Sequence, residues 1–95
     1  MISIQHEADI VIVSGILTRE TITRAFEKKY RNLINSNEIT LDLANVNKVD
    51  TAGLAWLLML IELADQHDCK LSLINLPEDL LKLAKLSAVD ILLPI

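Results

Sequence analysis

The residues able to do chemistry in this chain are few, and most of them sit in two short runs. Asp50-Thr51-Ala52-Gly53 combines a carboxylate, a hydroxyl and two small residues just ahead of a long apolar stretch. His67-Asp68-Cys69 gathers an imidazole, a carboxylate and the only thiol, and His6 is the one other imidazole. A closed zinc site needs about four ligands. No second ligand pair accompanies the His67–Cys69 run, so it reads as a surface turn. Cys69 as a nucleophile needs a histidine from beyond its own loop, and only His6 is available. Asp42 and Asp50 resemble an acid–base pair on paper. Each, however, follows an apolar residue near a strand end or helix cap, where structural duties are common. Gly15 and Gly53 are isolated, which leaves no glycine-rich phosphate loop. No cofactor and no metal are expected, and a hydrolase built on Thr51 or Cys69 is the least supported reading.

Asp50-Thr51-Ala52-Gly53 fits a different chemistry. Thr51 reads as the N-cap of a helix, its hydroxyl accepting a backbone N–H, and Gly53 permits close packing. Small residues here also let a partner approach the helix start. A phosphate on Thr51 would be favoured by the free amides and the helix dipole.

The helix that follows runs to about His67. At about 100° per residue, Leu54, Leu57, Leu58 and Ile61 fall on one stripe, sufficient to seat it on a sheet. Ala52, Trp56, Met59 and Leu63 form a second stripe on roughly the opposite side. One reading buries this helix on both sides, or lays Trp56 flat along the surface. The favoured reading is an exposed apolar patch covered by another protein, since such patches mark interaction sites and Trp and Met are enriched there. A homodimer of the free protein is one form of it. On that reading Trp56→Glu leaves the fold intact and abolishes binding.

The elements that must position these residues follow from periodicity. Ile2 to His6 reads as a short edge strand. Ile10-Val11-Ile12-Val13, ending at Ser14-Gly15, reads as a strand covered on both faces. Thr18 offers an N-cap, and Ile22, Phe26, Tyr30 and Leu33 give helical spacing to about Ile34. Ile39 to Leu43 alternates as a strand, and Ala44 to Asp50 reads as a loop. Lys70 to Leu76 is a further strand. Pro77 fits the first turn of a last helix, with Leu80, Leu83, Ala84 and Ser87 facing inward. Residues 1–95 are therefore expected to form one α/β domain, a mixed sheet of about four strands packed by three or more helices.

Bulk properties narrow the function. The chain has 95 residues, 52% of them hydrophobic and 3% aromatic, with a net charge of −4. Such a composition excludes disorder, and an acidic chain lacks the basic footprint of a nucleic-acid binder. Arg24, Lys28, Lys29 and Arg31 cluster, but with Glu20 and Glu27 among them they read as a solvated helix face. A single cysteine fits a reducing compartment. Met1 to Glu7 has neither a basic nor an apolar signal region. The longest apolar stretch, Ala52 to Ile61, falls short of the roughly 20 residues of a membrane span. A cytoplasmic protein is expected, reaching any membrane only through a partner.

At Leu41-Asp42-Leu43, followed by Val49-Asp50-Thr51-Ala52-Gly53-Leu54-Ala55, the chain resembles the STAS-domain family. The order of elements matches that family from about residue 2 to residue 90. Val49 to Leu58 and Leu83-Ala84-Lys85-Leu86 look most like the STAS subunits of Mla phospholipid-transport ABC systems. That resemblance implies a non-catalytic subunit that binds the cytoplasmic (MlaF-like) ATPase and, through it, the permease. Such a subunit supports the assembly or activity of a transporter that maintains outer-membrane lipid asymmetry, and it sits peripherally at the inner membrane. Thr51 matches a threonine implied to face the ATPase. The alternative within the family is an anti-sigma factor antagonist in a partner-switching pathway. There the phosphorylated residue directly precedes the glycine, a position held here by Ala52, which weakens this reading unless Thr51 takes the role.

Overall fold

A computed structural model describes residues 1–94 of the chain. It is an α/β fold in which a four-stranded mixed sheet, in the order β1-β2-β3-β4, is packed by three helices. The strands are β1 (Ile2–Glu7), β2 (Ile10–Leu17), β3 (Glu38–Val49) and β4 (Lys70–Ile74); the helices are α1 (Arg24–Lys29), α2 (Thr51–Gln66) and α3 (Glu78–Leu86). A final helical turn of the 3₁₀ type spans Asp90–Leu92. β1 pairs antiparallel with β2, while β2–β3 and β3–β4 pair in parallel. Parallel neighbours need a crossover, and α1 and α2 supply the two.

Register places the apolar positions together. Val11 pairs with Leu41 and Leu41 with Leu73, so Val11, Val13, Ile39, Leu41, Leu43, Leu71 and Leu73 share one sheet face. All are buried, in one cluster with Phe26, Leu57, Leu60, Leu80 and Ala84 from the helices. The other face stays partly open. Ile10 is 41% exposed and Ile12 half-buried, so the apolar run of β2 is covered on one face, not on the two expected of it.

Several boundaries differ from the sequence reading. The residues read as a loop, Ala44 to Val49, continue β3, and β2 runs on through Ser14-Gly15 to Leu17 to pair with them. Register shifts between Ile12 and Ser14 and between Gly15 and Ile16 mark β-bulges. Bulges break the two-residue alternation by which a strand is recognised. Gly15 sits at φ +102° beneath the Met1 carbonyl, which accepts from the Ile16 N–H at 2.8 Å. Any side chain there would meet that carbonyl. The first helix begins at Arg24 because Thr23, not Thr18, caps it, accepting from the Phe26 N–H at 3.2 Å. Thr18 instead lies buried in a turn closed by Thr21, whose hydroxyl donates to the Ile16 carbonyl at 2.6 Å. That helix stops at Lys29, and Leu33 reaches the core from a turn. β4 ends at Ile74, short of Leu76, where Asn75 takes φ +55°. Ser87, expected to face inward, is the exposed C-cap of α3.

Candidate functional site

The start of α2 is built around Asp50. Its Oδ1 accepts from the N–H groups of Ala52 at 2.9 Å and Gly53 at 3.1 Å, and its Oδ2 accepts from the Arg19 N–H at 3.0 Å. Asp50 is therefore the N-cap expected of Thr51, and it also ties α2 to the turn after β2. Thr51 is the first helical residue and is exposed. Both residue types cap helices well, so only the backbone path decided between neighbours. Burial alone would raise the Asp50 pKa, but the three N–H donors and the Arg19 charge outweigh it and hold it below the ordinary value of 3.8.

A carboxyl held below its unfolded value stabilises the fold above that value, and the contribution fades as pH falls through the folded pKa. Asp50→Ala is accordingly expected to cost about 1–2 kcal/mol at neutral pH. The difference from wild type should shrink as urea melts are repeated from pH 5 downward. Thr51→Ala, lacking any capping role, should change stability by less than about 0.5 kcal/mol.

Gly53 has its small size used from within. A Cβ there would collide with the Leu17 carbonyl oxygen and lie 2.9 Å from Val49 Cγ2. This close approach serves the contact between α2 and the end of β2, the close packing that Gly53 was expected to permit.

The second apolar stripe of α2 is partly covered. Trp56, expected to be exposed, is 3% exposed, its ring 5.3 Å from that of Phe26, which lies in turn 4.9 Å from Tyr30. α1 thus lies over the tryptophan. The deepest face of α2 is Gly53, Leu57, Leu60 and Ala64, while Leu58 and Ile61, expected to be innermost, are only half-buried. What remains open is a groove between α1 and α2. Ile22, Ala52, Ala55 and the edge of Trp56 line one end, Leu63 with Arg24, Lys28 and Arg31 the other, and Met59 and Glu27 line both. Met59 is 40% exposed, and Ala52 and Leu63 are half-buried. The structure thus brings together Ala52, Trp56, Met59 and Leu63, with Trp56 as buried support. Thr51 stays outside the groove and Asp50 acts as the anchor of its helix. The basic residues, exposed as expected, also form the rim, which helical periodicity within α1 alone does not reveal.

The other candidates are accounted for separately. Asp42 lies within β3 and accepts from the Ala44 N–H at 3.0 Å and from Asn75 Nδ2 at 3.1 Å, so it ties β3 to the turn after β4. Burial, with Glu38 nearby, pushes the Cys69 thiol pKa up, which disfavours the thiolate a nucleophile needs. A cavity of about 470 Å³ lies on the opposite flank of α2 between Leu58, Ile61, Leu71 and Leu92. No helix of the described residues is long and apolar enough to cross a membrane.

A mixed four-stranded sheet with three helices, and an Asp-capped helix start packed through glycine onto the neighbouring strand, match what the resemblance to the STAS-domain family implies. The family model described as "Mlab, STAS domain" matches residues 1–94, and the chain belongs to that family. No match is found among the curated proteins.

Proposed function

We propose that this protein is the STAS subunit of an Mla-type phospholipid transporter, binding the cytoplasmic ATPase through the α1/α2 groove and supporting its assembly or activity. The observation that carries this reading is the match of nearly the whole chain to the MlaB STAS family model. The groove supports it: an apolar floor left open beside a buried aromatic cluster is the surface a protein partner would cover. Thr51, exposed at the start of α2, contributes from the edge of that contact. In this role the protein performs no chemistry, and it reaches the cytoplasmic face of the inner membrane only through its partner. The signalling alternative gains nothing from the site, where Ala52 holds the position before the glycine.

Co-purification of the tagged protein from cells that make it tests this directly. Wild type is expected to recover an ABC ATPase and its permease. Met59→Glu should recover about tenfold less or lower, because a carboxylate is placed in an apolar contact. Its fold should persist, since Met59 is already 40% exposed. Equal recovery by Met59→Glu would remove the groove from the contact, and recovery of a kinase-like anti-sigma factor instead would overturn the function.

A further inference from the structure

The rim of the α1/α2 groove carries charge that no salt bridge among the described residues uses. Arg24, Lys28 and Arg31 recur at i, i+4 and i+7 along and just beyond α1, above Met59 and Leu63. All three are exposed. Among the described residues the salt bridge formed is Lys82–Glu78 on α3, so no rim cation has a carboxylate partner. Lys29 differs: it lies over the Tyr30 ring at 5.4 Å and does not line the groove. The rim therefore sets three cations against the single carboxylate of Glu27, on a chain whose net charge is −4. Like charges at i, i+4 repel on a helix, a cost that the Arg24–Lys28 spacing carries, while Lys28 in the last turn of α1 suits the helix dipole.

The floor below is apolar and helix-sized. From Ala52 to Leu63, α2 rises about 16 Å at 1.5 Å per residue, room for roughly three turns of a docked helix. We propose that the groove takes an amphipathic helix of the partner, with apolar residues against Met59 and Leu63 and carboxylates on the flank facing α1. This rests on the reading of the groove as the partner-binding surface and adds the chemistry of the segment bound there. Helix-in-groove recognition needs the apolar floor, and the arginine fork matches a carboxylate in two-bond geometry. A nucleic acid would satisfy the cations but leave the floor unused.

The test places a photoreactive benzophenone amino acid at Met59 in the full chain and identifies the cross-linked segment by mass spectrometry. The expected product is one helical segment with at least two carboxylates flanking apolar residues at i, i+3 or i+4 spacing. In the variant Arg24→Glu/Lys28→Glu/Arg31→Glu the yield should fall about tenfold or more. Circular dichroism of that variant should stay that of wild type, because the three side chains are exposed. Replacing the carboxylates of the cross-linked helix by lysine should restore the yield. A cross-link to a neutral or basic segment, to nucleic acid or to a second copy of this chain overturns the proposal. So does no cross-link, or a triple variant that reacts as well as wild type. If the acidic helix belongs to a protein other than a transporter ATPase, the transporter reading fails and this one stands.

Discussion

Trp56→Glu is expected to break the α1 side of the fold, not to clear a surface. The indole is 3% exposed and packs on Phe26 with ring planes inclined at 59°. Removing a buried tryptophan typically costs about 3–5 kcal/mol through lost transfer energy and the cavity left behind. The glutamate adds a charge to a buried apolar site, and the total approaches the whole stability of an ordinary domain, about 5–15 kcal/mol. Trp56 is the only tryptophan, so its fluorescence reads this packing directly. Wild-type emission should be that of an apolar site and shift red only on unfolding. Trp56→Phe, which keeps a ring against Phe26, should retain a cooperative melt, while Trp56→Glu should lack one or melt at much lower urea. A Trp56→Glu protein with wild-type stability would show that α1 does not cover the indole. Loss of partner binding in that variant reports unfolding, which is why Met59→Glu is the sharper probe of the contact.

Gly53→Ala separates two accounts of a helical glycine by the sign of its effect. If Gly53 only loosens the first turn of α2, alanine should stabilise the protein by about 1 kcal/mol through helix propensity. The structure demands the opposite. The added methyl would collide with the Leu17 carbonyl oxygen, which already accepts from the Asp50 N–H at 3.3 Å. A rigid backbone atom cannot turn aside as a side chain does. The start of α2 must then lift from β2, and overpacking of this kind costs about 1–3 kcal/mol, sometimes more. A net loss of about 2 kcal/mol is expected for Gly53→Ala and more for Gly53→Val, measured by urea unfolding with Ala55→Gly as a control for propensity alone. A stabilised Gly53→Ala would sink the packing account.

Much of the fold was legible because it is written in local patterns. Ile2–His6, the alternation of Ile39–Leu43 and the Pro77 start of the last helix each depend on neighbours a few residues apart. The run Asp50-Thr51-Ala52-Gly53 likewise announced a capped helix start, and with the element order it carried the STAS resemblance. Less was legible where distant partners decide. The strand through Ala44–Val49 exists because β2 pairs with it across two register shifts, which erase the alternation along the chain.

The groove shows the same division. Which residues of α2 form its second apolar stripe follows from the helical period alone, and Ala52, Trp56, Met59 and Leu63 do line one flank together. How much of that stripe stays open is fixed by where α1 lies, and α1 is shorter and starts later than its periodicity suggests. Phe26 and Tyr30 therefore settle over Trp56, leaving Met59 and Leu63 beneath a rim of Arg24, Lys28 and Arg31. The choice of Asp50 over Thr51 as cap was likewise made by the backbone path, through its bond to the Arg19 N–H. Sequence by itself determined the family, the order of elements and the apolar surplus of α2, because each is a property of spacing along the chain. Tertiary structure alone decided which part of that surplus is core and which is site, because burial depends on a helix more than twenty residues away in sequence.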